Sequence, residues 1–149
     1  MKMLIIIPTY NAEPYLQEII NKLEKHHPEI LIVDSNSIDN TVSIAKSNNI
    51  NIIKIGQHSF NHGATREKYR KSTSSDIVIY FTQDAIPVEP NIIEKLTKPL
   101  IEGKASVSYG RQIPRSGANI FEAFPRMFNY GNDPQIRSIN DVDRYGVHT

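Results

Sequence analysis

Short apolar runs that alternate with stretches of helical periodicity fix the fold class of this chain. Met3 to Ile7 is a continuous apolar run closed by Pro8, and it reads as a parallel strand buried on both faces. Behind it Tyr15, Leu16, Ile19, Ile20 and Leu23 recur at helical spacing, with Glu13 and Pro14 at the helix start. Ile30 to Val33, ending at Asp34, is a second apolar run. Ile50 to Ile55 is a third and more alternating one, Asp76 to Phe81 a fourth and the most hydrophobic, and Ala105 to Tyr109 a fifth. Asp39 stands where a helix N-cap belongs, before a weakly amphipathic stretch through Ala45. Gly63 to Lys71 reads as a short helix, and Ile92, Ile93, Leu96 and Leu100 mark another that Gly103 stops. Asn119 to Phe128 is helical, with a kink expected at Pro125; past Tyr130 the chain turns polar and patternless. Strand-helix alternation with short connections predicts an α/β fold: a mostly parallel sheet flanked by helices.

Such a sheet binds ligands beyond the carboxyl ends of its strands. Three of those ends carry polar turns: Pro8-Thr9-Tyr10-Asn11, Asp34 through Thr41, and Thr82-Gln83-Asp84-Ala85-Ile86-Pro87. The first lacks G-x-G-x-x-G, which argues against a dehydrogenase, and no G-x-x-x-x-G-K-[ST] occurs anywhere. Asp34 offers a carboxylate that accepts N–H donors from a base, with a simple Asx-turn as the competing reading. Asp84 offers a hard oxygen suited to Mg²⁺ or Mn²⁺ bridging a diphosphate, with a simple turn residue before Pro87 as the competing reading. His62 to Arg66 lies at a helix start, where free N–H groups favour anions and Arg66 adds a charge-assisted contact; the competing reading is a solvated helix charge.

Composition removes several classes. Length 149 predicts one domain core. With 17 basic against 16 acidic residues, nothing in the charge calls for nucleic acid. The absence of cysteine excludes disulfides, thiolate metal sites and a cysteine nucleophile. No stretch approaches the roughly 20 apolar residues that span a bilayer, and the N-terminal run is too short for a signal-peptide core. A cytoplasmic protein is the simplest reading. The histidines, at 26, 27, 58, 62 and 148, show no metal-ligand spacing; His26 and His27 suit a helix C-terminus. Tyr109 and Phe128 read as core, and Lys68, Arg70 and Lys71 as a wet surface.

PTYN at 8–11, DSNSIDNT at 34–41, HGATR at 62–66 and TQDAIP at 82–87 resemble family-2 glycosyltransferases of the GT-A fold. YGRQIP at 109–114 and FNY at 128–130 are similar to the rhamnosyltransferase-like branch. The resemblance implies a nucleotide-sugar-binding role. Thr9 and Tyr10 would line the nucleoside pocket, Asp34 would hydrogen-bond a pyrimidine base, and Asp39 would sit near base or ribose or only cap its helix. Arg66 would approach the nucleotide, and Asp84 would bind Mg²⁺ or Mn²⁺ at the diphosphate. Arg111 belongs to the branch motif without an assigned role. The D-x-D motif of the family is represented by Thr82-Gln83-Asp84, with one carboxylate.

The donor implied by the branch is dTDP-rhamnose, and the implied reaction is inverting transfer to a polysaccharide or lipid-linked acceptor. In the family, the acceptor half and the catalytic base lie downstream of the region this chain covers. Residues 1–149 are therefore expected to form the donor part of a GT-A domain, and Asp133, Asp141 and Asp143 sit in no motif that marks a base. Two readings stay open: a glycosyltransferase donor domain, or a non-catalytic nucleotide-sugar-binding remnant or subunit of a split enzyme. Uncovered apolar surface is expected to favour a homo-oligomer or a companion chain. Lipid-linked acceptors would place the chain peripherally at the inner face of the membrane.

Overall fold

The computed structural model describes residues 1–24, 28–131, 133–141 and 143. His26, His27 and His148 lie outside them. The chain divides into two compact units, Met1–Ile93 and Glu94–Thr149.

The first unit is built on a four-stranded parallel sheet of β1 (Met3–Thr9), β2 (Glu29–Asp34), β3 (Asn51–Lys54) and β4 (Ile77–Tyr80) in the order β3-β2-β1-β4. Parallel neighbours need crossovers, and helices supply them. Helix α1 (Glu13–Leu23) joins β1 to β2, α2 (Thr41–Ser47) joins β2 to β3, and α3 (His62–Lys71) lies between β3 and β4. The first two crossovers step outward from β1. The third returns past β2 and β1 to reach β4. With right-handed crossovers, that reversal puts α1 and α2 on one face and α3 on the other. It also leaves a topological switch point between β1 and β4.

β1 is the central strand and the most buried one, with Leu4 to Thr9 all buried. β4 was the most apolar run in the sequence, yet it lies at the edge with Tyr80 exposed. Edge position, not hydrophobicity, decides the difference. Leu4 and Ile6 face Val33 and Tyr69 of α3 in one core cluster, joined by Leu31, Ile55 and Val78. Ile5 and Ile7 point to the opposite face by the period of two. Leu16, Ile19, Ile20 and Leu23 form the buried stripe of α1.

β1 does not stop at Pro8, as its sequence suggested, but continues to Thr9. Ile6 O accepts from Phe81 N at 3.1 Å, so the even-numbered residues of β1 face β4. The last β1–β4 pair is Ile6 with Tyr80, so Pro8 falls where no ladder donor is called for.

In the second unit, the helix α4 (Ile92–Ile101), which starts in the first unit, ends near Gly103. Gly103 takes φ +67 and donates to Leu100 O at 3.1 Å, the left-handed stop its position predicted. Residues 105–109 form no strand. Their alternation is real, but Val107 (78% exposed) and Tyr109 (61%) are left in solvent, so neither burial nor a partner strand fixes an extended ladder there. Helix α5 (Ile120–Asn129) runs unbroken through Pro125, with Asn119 Oδ1 accepting from Glu122 N at 3.0 Å as its N-cap. Ile120, Phe121, Phe124, Met127 and Phe128 of α5 are all exposed. Tyr109 and Phe128 are thus not core residues. Tyr109 meets Tyr130 edge-on, and Phe128 stacks on Phe124. No helix among the described residues is long and apolar enough to cross a membrane.

Candidate functional site at the carboxyl edge of the sheet

All three polar turns singled out in the sequence emerge from the same edge of the first unit. The loop after β1 turns at Asn11 and the loop after β2 turns at Asn36, with φ 52 and 63, in the left-handed region that Asn tolerates better than most residues. Side chains then bind the two loops together. Asn11 N donates to Ser37 Oγ at 2.9 Å, and Ile38 N donates back to Asn11 Oδ1 at 3.0 Å. Ala12 N donates to Thr41 Oγ1 at 2.8 Å.

The helix starts are capped reciprocally. Asp39 accepts from Glu13 N, the first residue of α1, at 3.0 Å and from Thr41 N, the first of α2, also at 3.0 Å. Glu13 in turn accepts from Asn40 N at 3.1 Å and Asn40 Nδ2 at 2.7 Å. The formal N-cap residue of α2 is Asn40, which makes no cap bond; Asp39, one position earlier, does that work. Burial pushes the Asp39 carboxyl up, but bonds from the Thr41 hydroxyl, Thr41 N–H and Glu13 N–H outweigh it and hold it below the ordinary 3.8. These bonds account for Asp39 as a structural acceptor between two helices.

Asp34 is fully buried. It accepts from Thr9 Oγ1 at 3.1 Å, from Ser37 N at 3.0 Å and from the Ser37 hydroxyl. Its carboxylate and the Thr9 hydroxyl therefore form one buried pair beneath the two loops, and the Ser37 N–H bond is the Asx-turn weighed from the sequence. Tyr10, above them, is exposed.

Asp84 is exposed in the turn after β4, where Ala85 N donates to Thr82 O at 3.1 Å. Its neighbour Gln83 reaches across to β1: Tyr10 N donates to Gln83 Oε1 at 2.7 Å, and Gln83 Nε2 donates to Tyr10 O at 3.1 Å. Gln83 stands inside the motif TQDAIP at 82–87, where the residue types alone assign it no role. The bond spans 73 positions, and no local pattern announces it.

At the start of α3, Asn61 caps the helix, accepting from Gly63 N at 3.1 Å and Ala64 N at 2.9 Å. Two of the N–H groups reckoned free for an anion are thus taken. Arg66 is different. Its guanidinium lies 5.7 Å from the centre of the Tyr80 ring, and its Nε is buried without a hydrogen-bond partner. The other cations of the helix are engaged: Glu67 binds Arg70 at 2.7 and 2.8 Å and Lys71 at 3.3 Å, and Lys68 lies 5.5 Å from the centre of the Tyr69 ring. The Arg70 bond, with help from Lys71, holds the Glu67 carboxyl down to about 2. Burial pushes the Tyr80 phenol up. Arg66 is accordingly the guanidinium of α3 whose Nε is buried with its hydrogen-bond capacity unused.

Among the described residues no three His, Cys, Asp or Glu side chains gather as a metal cage. The donor set at this edge fits a divalent cation only as a shared ion: Asp84 as one hard oxygen, the remainder from phosphate oxygens and water.

A sequence profile described as Glycosyl transferase family 2 matches residues 4–148. The chain is 37% identical over 150 residues to the O-antigen chain rhamnosyltransferase WbaN of Salmonella anatum, covering 97% of this chain and 48% of that protein. It is 33% identical over 154 residues to the O-antigen chain rhamnosyltransferase RfbN of Salmonella typhimurium, covering 100% and 49%. The chain thus spans about half the length of these relatives. Among solved structures, Staphylococcus aureus TarS 1-349 superposes with a TM-score of 0.61 at 25% identity, covering 78% of this chain and 39% of that one. Glucosyl-3-phosphoglycerate synthase from Mycobacterium tuberculosis, in complex with Mn²⁺, UDP and glucosyl-3-phosphoglycerate, superposes at 0.56 and 21% identity, covering 66% and 39%. That second likeness concerns the fold alone. The α/β fold of the GT-A type, expected from the motifs, is the one found.

Proposed function

The chain belongs to glycosyl transferase family 2, and we propose that its carboxyl sheet edge, at the β1/β4 switch point, binds a nucleotide-diphosphate sugar for inverting transfer to a glycan or lipid-linked acceptor. The observation that carries this reading is that Tyr10 follows β1, Asp84 follows β4 and Arg66 lies over Tyr80 at the end of β4, with Arg66 Nε left without a partner. An aromatic ring, a hard carboxylate and an uncommitted guanidinium are the groups a base, a metal-bound diphosphate and a phosphate oxygen call for.

Tyr10 lines the nucleoside end, with Thr9 supporting it from beneath. Asp34, fully buried, holds the loops in shape through Thr9 and Ser37 and so sets the floor of the nucleoside end from beneath. Arg66 takes the phosphates, and Asp84 holds Mg²⁺ or Mn²⁺ against them. When bound, the cation offsets the charge that develops on the departing nucleoside diphosphate. Likeness to O-antigen chain rhamnosyltransferases supports dTDP-rhamnose as donor and a growing polysaccharide or its lipid-linked carrier as acceptor.

Calorimetric titration with dTDP and UDP, each with and without Mn²⁺, tests the reading. Binding is expected to be stronger with Mn²⁺, and Asp84→Ala is expected to remove the enhancement. A folded protein that binds neither nucleotide under either condition contradicts it. A turnover assay with dTDP-rhamnose then separates transfer from binding alone.

A further inference from the structure

The β1–β4 ladder ends with the pair Ile6 and Tyr80, and its last bond is Phe81 N to Ile6 O. The next β1 residue facing that side is Pro8, which has no N–H to give. The one after it is Tyr10. There the Gln83 side chain takes over, accepting from Tyr10 N at 2.7 Å and donating to Tyr10 O at 3.1 Å. The carboxamide does what a peptide unit of a longer β4 would do, and so bridges the gap at the switch point.

We propose that Gln83 is a positioning residue for the donor site: its amide clamps the Tyr10 main chain to the turn that carries Asp84, so that the nucleoside end and the diphosphate end of the ligand meet one preorganised unit. This rests on the donor-site reading above. The two bonds demand an amide. A carboxylate cannot donate to Tyr10 O, a lysine or arginine cannot accept from Tyr10 N, and a serine or threonine is too short to do both.

Tyr10 needs such a hold. Its ring is exposed, and the chain beyond it reverses at the left-handed Asn11. On the other side, Asn11 and Ala12 are already pinned to the β2 loop by Ser37 and Thr41. Without Gln83, Tyr10 is the residue of this loop left to be ordered when the ligand arrives. Ordering one backbone unit at that moment weakens binding by about tenfold.

The test uses Gln83→Met, which keeps the length and removes both bonds. Three readouts are taken on the whole chain: the thermal midpoint, hydrogen exchange at the Tyr10 amide without ligand, and calorimetric affinity for dTDP and UDP, each with and without Mn²⁺. The expected result is a nearly unchanged midpoint, at least about tenfold faster Tyr10 exchange, and about tenfold weaker nucleotide binding. Gln83→Asn, with the same chemistry one methylene shorter, is expected to behave alike. A purely structural glutamine would move the midpoint and leave the affinity of the folded fraction alone. Unchanged affinity in both variants, beside normal binding by the unmodified chain, overturns the positioning role and leaves the donor site standing. Failure of the unmodified chain to bind either nucleotide, with or without Mn²⁺, overturns the donor-site reading and this proposal with it.

Discussion

Removing the Asp39 carboxylate should unfasten two helices at once. Asp39 stands 3.0 Å from the first N–H of α1 and 3.0 Å from the first N–H of α2. Loss of a helix-start acceptor costs about 1 kcal/mol per helix end, so Asp39→Ala should destabilise the first unit by about 2 kcal/mol. Asp39→Asn separates the contributions. One amide oxygen serves the Thr41 side, and the amide NH₂ then confronts Glu13 N–H, so about half the loss is expected.

The effect has a pH signature. The folded Asp39 carboxyl titrates below its ordinary 3.8 because the Thr41 and Glu13 bonds outweigh the cost of burial. A depressed folded pKa means the stabilisation is fully present above that ordinary value and is lost as pH falls through the folded one. Urea unfolding followed by far-UV circular dichroism, at pH 7 and in steps below pH 4, measures both. The gap between the unmodified chain and Asp39→Ala should be widest at pH 7 and close as the carboxylate is protonated. A gap under about 0.3 kcal/mol at pH 7, or one that does not change with pH, refutes the cross-capping argument.

Three further outcomes follow from the same structure. Arg66→Met should weaken dTDP and UDP by about tenfold to a hundredfold in calorimetry while leaving thymidine and uridine unchanged, since a charged hydrogen bond to phosphate is what is removed. Ile6→Ala, at a fully buried site of the central strand, should cost about 2–5 kcal/mol in urea unfolding. The apolar face of α5, with Phe121 88% and Phe128 76% exposed, should drive self-association that the double substitution Phe121→Ser and Phe128→Ser reduces in sedimentation velocity.

The sheet was legible where burial and periodicity agree. β1, β2 and the α1 stripe of Leu16, Ile19, Ile20 and Leu23 are apolar because they are central, so the pattern in the residues is the pattern of packing. The Gly103 stop was legible because its conformation is intrinsic to the residue. Ala105 to Tyr109 shows the limit: alternation predicts a strand only where a neighbour exists to pair with it. Tyr109 and Phe128 show the same limit for burial, since an aromatic side chain names its preference and not its cover. In the site, the polar turns announced themselves by position after strands. Their internal logic did not, because it lives in bonds between residues 26 to 29 positions apart, Asn11 to Ser37, Glu13 to Asp39 and Ala12 to Thr41, and 73 apart in the Gln83 clamp. Asp39 was visible as a cap for its own helix. That it also caps α1 follows only from the parallel pairing of β1 with β2, which brings the two loops side by side.

The central claim is that a nucleoside diphosphate binds at the carboxyl edge beside the β1/β4 switch point. Hydrogen-exchange mass spectrometry of the whole chain with dTDP and Mn²⁺ tests it most directly. The account requires new protection in the segments around Tyr10, Ser37 and Asp84, with the amino-terminal strand ends unchanged. Protection confined to residues beyond Ile93, or none under conditions where calorimetry registers binding, would contradict it.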